Sequence, residues 1–196
     1  MKIEPLQVSK IIQQNFSHSS SSIMMGKIMG TIVYIINSPL SAAEVTISLV
    51  LASITRGLCI AFISTFLFMF FLNLTIQNYF LWFLYLFLSG LFLGSAGIIA
   101  GLYADKFDQM ATVTNFVIVP LSFLSGTFYS IDKLPDILKG LSYYNPFFHM
   151  IDGFRYSFIG QLDGSLKFGI IFLFIISLVT WYLAYLLFKK GYKIKT

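Results

Sequence analysis

The sequence predicts an all-α protein that lies in a membrane. Hydrophobic residues make up 57% of the 196 residues and charged residues only 11%, whereas soluble domains carry about 25% charged residues. Several apolar runs reach the roughly 20 residues needed to cross the hydrocarbon core of a bilayer. We therefore expect about four transmembrane helices, near residues 45–72, 80–103, 110–129 and 168–188.

The first 25 residues are predicted to be a polar segment that precedes a membrane domain of residues 26–196. They hold no apolar block of the length found in secretory signal peptides. The serine tract at residues 17–22 has the composition of a linker, or of a segment ordered only by its neighbours.

A short helix at the membrane surface is predicted between Gly26 and Pro39, because isoleucines recur there at helical spacing. The sequence Asn37-Ser38-Pro39 ends this pattern. Ser41 and Glu44 then form an S-x-x-E pair, which is typical of a capping box at a new helix start. The first span is therefore expected to begin near Glu44.

The predicted spans carry a few unusual residues. Arg56 lies in the first span, either as a functional intramembrane charge or as a side chain that snorkels to the cytoplasmic interface. The second span has two G-x-x-x-G pairs, which allow another helix to approach closely. Pro120 is expected to kink the third span. Cys59, the only cysteine, excludes a disulfide framework within the chain.

The segment from Gly126 to Gly160 mixes apolar and charged residues between two spans, and it predicts an outer re-entrant hairpin of two short helices. The first runs from about Ile131 to Leu141. The second runs from about Pro146 to Ile159, with Asn145 as its N-cap. These patterns alone leave open whether the hairpin is a gate or only covers the surface.

Few residues of the sequence are candidates for catalysis or for binding a ligand. Asp152 and Arg155 are three residues apart and can pair on one helix face, as an exposed pair of little energetic weight rather than a substrate site. His18 and His149 lack neighbours at metal-ligand spacing. No phosphate-binding GxxxxGK[ST] loop or nucleophile-and-base set is present. We expect no catalysis, metal or cofactor on this chain, and no nucleic-acid binding.

Four lysines after the last apolar run set the predicted orientation, namely Lys189, Lys190, Lys193 and Lys195. The positive-inside rule places this C-terminus in the cytoplasm. Counting back over four spans places the N-terminus there too, with the 126–160 segment on the outer side.

Three ordered stretches carry a resemblance: FSHSSSSIMMGKIMGTIVYIINSPLSAAEV, GLYADKFDQMATVTNFVIVPLSFLSGTFYSIDKLP and LSYYNPFFHMIDGFRYSFIG. From about residue 16 onward the chain resembles the ABC-2 type permeases, the membrane subunits of bacterial ATP-driven exporters. The resemblance implies a multi-pass inner-membrane transport subunit that is not itself an enzyme. It also implies two protein partners, a second permease copy and a separate ABC ATPase that holds ATP and magnesium.

The resemblance further implies roles for two groups of residues. A coupling helix that docks on the ATPase matches Gly30, Thr31, Asn37, Ser38, Pro39 and Leu40. An outer hairpin, which favours a gate, matches Pro135, Asn145, Pro146, Asp152, Gly153 and Arg155.

One departure from the family supports an alternative. Members of the family have six spans, whereas this sequence shows four, with the first two absent and the polar stretch of residues 1–15 standing where the second should end. The segment of residues 1–25 is therefore a possible remnant of a lost span. The alternative is a truncated or split-gene membrane protein that inserts but does not transport. A weaker alternative, an enzyme acting on lipid-linked substrates, needs a polar cluster within the spans, where the sequence offers only Arg56.

Overall fold

The computed structural model describes residues 4–72, 76–125, 140 and 142–191, without the side chains of residues 4–13, 36, 68 and 72. Helix is the regular secondary structure throughout this part of the chain. The elements are α1 (Glu4–Ile28), α2 (Ile32–Ile36), α3 (Ala42–Leu72), α4 (Tyr79–Tyr103), α5 (Phe107–Val113), a π-helical turn (Thr114–Ile118), α6 (Val119–Phe123), α7 (Pro146–Ile159) and α8 (Leu166–Lys189).

Three of the described helices, α3, α4 and α8, are long and apolar enough to cross a membrane. They correspond to the first, second and fourth predicted spans. The predicted class, an all-α integral membrane protein, is therefore confirmed.

The region of the predicted third span is helical from Phe107 to Phe123 but changes its hydrogen-bond register on the way. The backbone N–H of Val119 donates to the carbonyl oxygen of Thr114, five residues earlier. Pro120 follows directly and has no N–H to continue an α-helical pattern. The distortion expected at this proline thus takes the form of a π-helical turn. Residues 126–129 of the predicted span lie outside the described residues.

Helix α1 is continuous through the serine tract, so the linker interpretation of residues 17–22 is wrong. The helix packs against α3 and α4, and it buries Phe16, Ile23 and Met24. The Ser20 hydroxyl donates to the carbonyl oxygen of Phe16 at 2.9 Å, which satisfies this hydroxyl within the helix. Packing on neighbouring helices therefore orders a segment whose composition is polar.

The glycines of α4 explain how closely its neighbours approach. Gly90 and Gly94 lie against α3, whereas Gly97 and Gly101 lie against α1. A Cβ atom at Gly97 would stand 2.7 Å from the carbonyl oxygen of Phe16, which is too close for any larger residue without a shift. The close helix approach predicted from the two G-x-x-x-G pairs is confirmed.

Helices α1 and α8 both run parallel to α4. The Nζ atom of Lys27, at the end of α1, donates to the carbonyl oxygen of Leu102, near the end of α4, at 2.6 Å. Phe188, at the end of α8, packs in the same apolar cluster as Leu102. We name this side of the bundle the lysine end, after the lysines Lys27, Lys106, Lys189 and Lys190.

Helix α7 lies at the opposite end of the bundle, because the backbone N–H of Gln77, just before α4, donates to the carbonyl oxygen of Ser157 at 2.9 Å. Helix α1 also contacts α7, and Phe16 packs in one cluster with Phe147. The start of α1 and the end of α8 therefore lie at opposite ends of the bundle. The predicted placement of both termini in the cytoplasm stays a prediction.

Candidate functional site

The first candidate site is the connection between α1 and α3, residues 29–41, which we name the joint. Gly30 ends α1 with a φ of 69°, a left-handed conformation that glycine adopts without steric cost. The five-residue helix α2 follows. A short helix predicted between Gly26 and Pro39 is present as α2, but it is limited to Ile32–Ile36, because α1 continues to Ile28 and Gly30 separates the two helices.

The capping box that ends the joint is confirmed. The backbone N–H of Ser41 donates to a carboxylate oxygen of Glu44 at 2.7 Å. In return, the N–H of Glu44 donates to the Ser41 hydroxyl oxygen at 3.3 Å. The two residues fix where α3 begins, and hence where the joint stops.

All six residues of the predicted coupling helix lie in the joint, which presents apolar side chains to its surroundings. Tyr34 is 77% exposed and Met29 66%, and Ile28, Val33 and Leu40 are also exposed. Ile32 is buried and packs in a cluster with α3, α4 and α8. Ile32 thus packs α2 against the bundle, whereas Val33 and Tyr34 of α2 are exposed at the lysine end.

The second candidate site is the described part of the predicted outer hairpin. Pro135 and the predicted helix at residues 131–141 lie outside the described residues, apart from Gly140. The predicted N-cap is confirmed, since the side-chain oxygen of Asn145 accepts the N–H of Phe147 at 3.0 Å and Pro146 opens α7. The amide nitrogen of Asn145 also donates to the carbonyl oxygen of Leu121 at 2.7 Å, which joins α7 to α6.

Helix α7 is buried rather than laid on the surface. At Gly153 the ring of Tyr85 from α4 occupies the space of a side chain. The imidazole Nε2 of His149 lies 2.8 Å from the carbonyl oxygen of Tyr143, and aromatic rings surround it. Burial lowers the pKa of His149, although this carbonyl and the charge of Asp152 act in the opposite direction.

Asp152 holds the loop that joins α7 to α8. Its carboxylate accepts the backbone N–H groups of Asp163 and Gly164, each at 2.9 Å, and pairs with Arg155 at 2.5 Å. Arg155 pairs with the Asp163 carboxylate at 2.6 Å as well. We name Asp152, Arg155, Asp163 and Gly164 the loop clamp.

The predicted pairing of Asp152 with Arg155 is present, but the expectation of an exposed pair is wrong, since Asp152 is only 4% exposed. Burial acts to lower the pKa of Arg155, but hydrogen bonds and charges of Asp163 and Asp152 outweigh it and raise that pKa. The guanidinium therefore stays charged.

A third candidate surface is formed by α1 and Arg56. The outward side of α1 carries five polar residues at helical spacing, which we name the polar stripe: Gln14, Ser17, His18, Ser21 and Ser22. Arg56 of α3 is exposed beside this stripe, and its charge acts on His18. By contrast, the outward sides of α3 and α8 are apolar, with residues such as Phe62, Ile63, Phe66, Ile171, Phe174 and Ile175.

Sequence reasoning missed the polar stripe because it judged residues 17–22 by composition. The polar positions 14, 17, 18, 21 and 22 follow the i, i+3, i+4 spacing of one helix face. The buried face holds Phe16, Ile23 and Met24, together with the polar residues Asn15, Ser19 and Ser20. Because polar residues lie on both faces, hydrophobic periodicity alone does not predict this helix.

Comparison with known proteins decides the family. The family model of the ABC-2 type transporter matches residues 10–159, more than two thirds of the chain. The chain belongs to the ABC-2 type transporter family. The match includes most of α1, the joint, α3, α4 and α7.

Individual relatives agree with this assignment. The permease is 31% identical over 180 residues to the inner membrane transport permease YadH of Escherichia coli K12, which covers 90% of this chain and 70% of that protein. The identity to the protein of the same name in Shigella flexneri is also 31%. Nodulation protein J of Rhizobium leguminosarum bv. viciae is 29% identical over 91 residues, 45% of this chain and 35% of the relative.

Proposed function

We propose that this permease works in an ATP-driven exporter of the bacterial inner membrane, with the joint as the docking site of a separate ABC ATPase. The observation that carries the proposal is the exposed apolar surface of α2 at the lysine end. The lysine end is cytoplasmic by the positive-inside rule, which is the side on which an ATPase has access to ATP.

The shape of the joint suits the transmission of movement. It connects α1 and α3, and Lys27 ties the end of α1 to the end of α4 through the carbonyl oxygens of Leu102 and Ala104. A displacement of α2 by the ATPase is therefore passed to three packed helices. ATP and magnesium belong to the ATPase in this proposal, and the permease supplies the membrane path.

The outer hairpin is the lid of the exporter in this proposal. Asn145 joins its helix α7 to α6, and the loop clamp joins α7 to α8. The lid is thus attached to both flanking elements and follows their movement. A second copy of the permease completes the path, with membrane lipid around the apolar outward sides of α3 and α8.

The docking proposal is tested with two tyrosines of equal exposure. Tyr34 in the joint is 77% exposed and Tyr144 beside α7 is 76% exposed, so aspartate at either position adds the same charge to the same amount of surface. We expect Tyr34→Asp to abolish copurification of an ABC-type ATPase from native membranes, measured by mass spectrometry and by ATP hydrolysis in the purified complex. Tyr144→Asp is expected to copurify the ATPase like the unchanged permease.

Equal ATPase recovery with both variants would contradict docking at the joint. A further arm tests transport, by reconstituting the permease with its ATPase in vesicles and following ATP-driven release of candidate cargo. A complex that hydrolyses ATP but moves no cargo would favour the alternative of a membrane protein that inserts without transporting.

A further inference from the structure

Arg56 lies at the middle depth of the helix bundle. It is the fifteenth of the 31 residues of α3. Two residues earlier, Ile54 packs on Gly90, the twelfth of the 25 residues of α4. Ser177, the twelfth of the 24 residues of α8, donates to the carbonyl oxygen of Leu88 at 3.3 Å. The centres of α3, α4 and α8 thus lie at the same depth in the bundle.

The depth of Arg56 in the bundle argues against snorkelling. The centre of a bilayer lies about 15 Å from either edge of the hydrocarbon core, whereas an extended arginine side chain reaches about 7 Å from its Cα atom. A lipid-facing arginine at the centre is costly, by about 3 kcal/mol even on the mildest scale. The side chain is nevertheless exposed, which favours surroundings other than lipid.

Arg56 has no ion pair or hydrogen bond to any side chain among the described residues. Its neighbours on α1 also have unused polar atoms. The imidazole Nδ1 of His18 and the side-chain oxygen of Asn15, which lies against Gly57 next to Arg56, are buried without a hydrogen-bond partner in the described part of the chain. Asn15 is only 2% exposed. Such groups are costly unless something pairs with them.

We propose that Arg56 and His18, beside the polar stripe, bind an anionic group of the transported molecule at the middle of the membrane path. The inference rests on the proposed function, since it assigns the path to this side of the bundle. A guanidinium matches phosphate and carboxylate oxygens with paired N–H donors, and the imidazole of His18 supplies a further hydrogen bond. The cargo is thus an oxyanion-bearing compound, either an amphiphile or a small hydrophilic anion.

The experiment measures equilibrium binding of labelled probes to the permease in nanodiscs of phosphatidylcholine, without any ATPase. The probes are dodecyl phosphate for an anionic amphiphile, glycerol 3-phosphate for a soluble anion, and dodecyl glucoside as the neutral comparison. We expect Arg56→Gln to weaken binding of at least one anionic probe by about tenfold or more, and to leave dodecyl glucoside unaffected. Arg56→Lys, which keeps the charge, is expected to bind that probe more tightly than Arg56→Gln.

The control is Lys106→Gln, which removes one positive charge at the lysine end and is expected to bind as the unchanged permease does. Circular dichroism and gel filtration of each variant confirm that it is folded. If only the binding of dodecyl phosphate depends on Arg56, the cargo is an anionic amphiphile. If only the binding of glycerol 3-phosphate depends on Arg56, the cargo is a soluble anion. Anionic binding that Arg56→Gln leaves unchanged, or that Lys106→Gln weakens equally, overturns the proposal.

The outcome is separate from that of the docking test. Tyr34→Asp is expected to bind the anionic probe normally while it loses the ATPase. If Tyr34→Asp still copurifies the ATPase while anion binding depends on Arg56, docking at the joint is refuted and the anion site is retained. If Tyr34→Asp loses the ATPase while anion binding does not depend on Arg56, only the anion site is refuted.

Discussion

Gly97 of α4 lies directly against the backbone of Phe16 in α1, so that a Cβ atom at Gly97 would stand 2.7 Å from the Phe16 carbonyl oxygen. The neighbouring contact, to the Cβ atom of Ser19, would be 2.8 Å. Backbone atoms cannot swing aside as a flexible side chain does. This glycine therefore sets the distance between α1 and the rest of the bundle.

We predict that Gly97→Ala destabilises the permease by about 1–3 kcal/mol, because α1 must move away from α4. Thermal unfolding in detergent micelles measures the change. The control is Gly26→Ala in the last turn of α1, where the nearest atom to an added Cβ is 3.7 Å away. Alanine favours a helix over glycine by up to about 1 kcal/mol, so Gly26→Ala is expected to be neutral or stabilising. A Gly97→Ala variant as stable as this control would contradict the packing described for α1.

We predict that the two carboxylates of the loop clamp contribute unequally to the free energy of unfolding. Asp152→Asn removes a buried charge that pairs with Arg155 and accepts two backbone N–H groups, and we expect a loss of about 3 kcal/mol. Asp163→Asn removes a carboxylate that is 21% exposed, while Arg155 keeps Asp152, and we expect a loss of about 1 kcal/mol.

Chemical unfolding of the two single variants and of Arg155→Gln compares these losses. A double variant, Asp152→Asn with Arg155→Gln, is expected to lose less than the sum of the single losses, since the two residues act on each other. Additive losses would show that the pair is not coupled.

His149 gives a prediction about pH. Its folded-state pKa is below the usual 6.5, so the unfolded chain takes up a proton at this residue before the folded chain does. Stability from neutral His149 is therefore complete above about pH 6.5 and decreases as the pH falls below it. We expect the melting temperature to drop between pH 7.5 and pH 5, and His149→Gln to reduce the size of that drop. An identical drop in both proteins would contradict the prediction, because it would mean that His149 has the same pKa in the folded and unfolded chains.

Local signals in the sequence predicted several contacts correctly. Ser41 and Glu44 form the capping box, Asn145 and Pro146 open α7, and the glycines of α4 admit close neighbours. Each of these features depends on residues a few positions apart in one helix, which is the range over which backbone geometry dictates the side-chain pattern.

Features that depend on distant parts of the chain could not be predicted from the sequence. The residues around Asp152 do not indicate that its carboxylate is buried and accepts the backbone N–H of Gly164, twelve residues later. The polar residues Asn15, Ser19 and Ser20 of α1 become ordered because they pack closely on small residues of α3 and α4. For the same reason, the orientation of α1 and the position of Arg56 beside His18 followed from the packing alone.

The capping box and the length of α3 together have a mechanical consequence for the joint. At about 1.5 Å per residue, a helix of 31 residues is about 46 Å long. A rotation of about 5° imposed where Ser41 and Glu44 hold its first turn would carry the far end sideways by about 4 Å. That distance is close to the width of a single methylene chain, so a small rotation on one side of the membrane is enough to open or close a gap on the other.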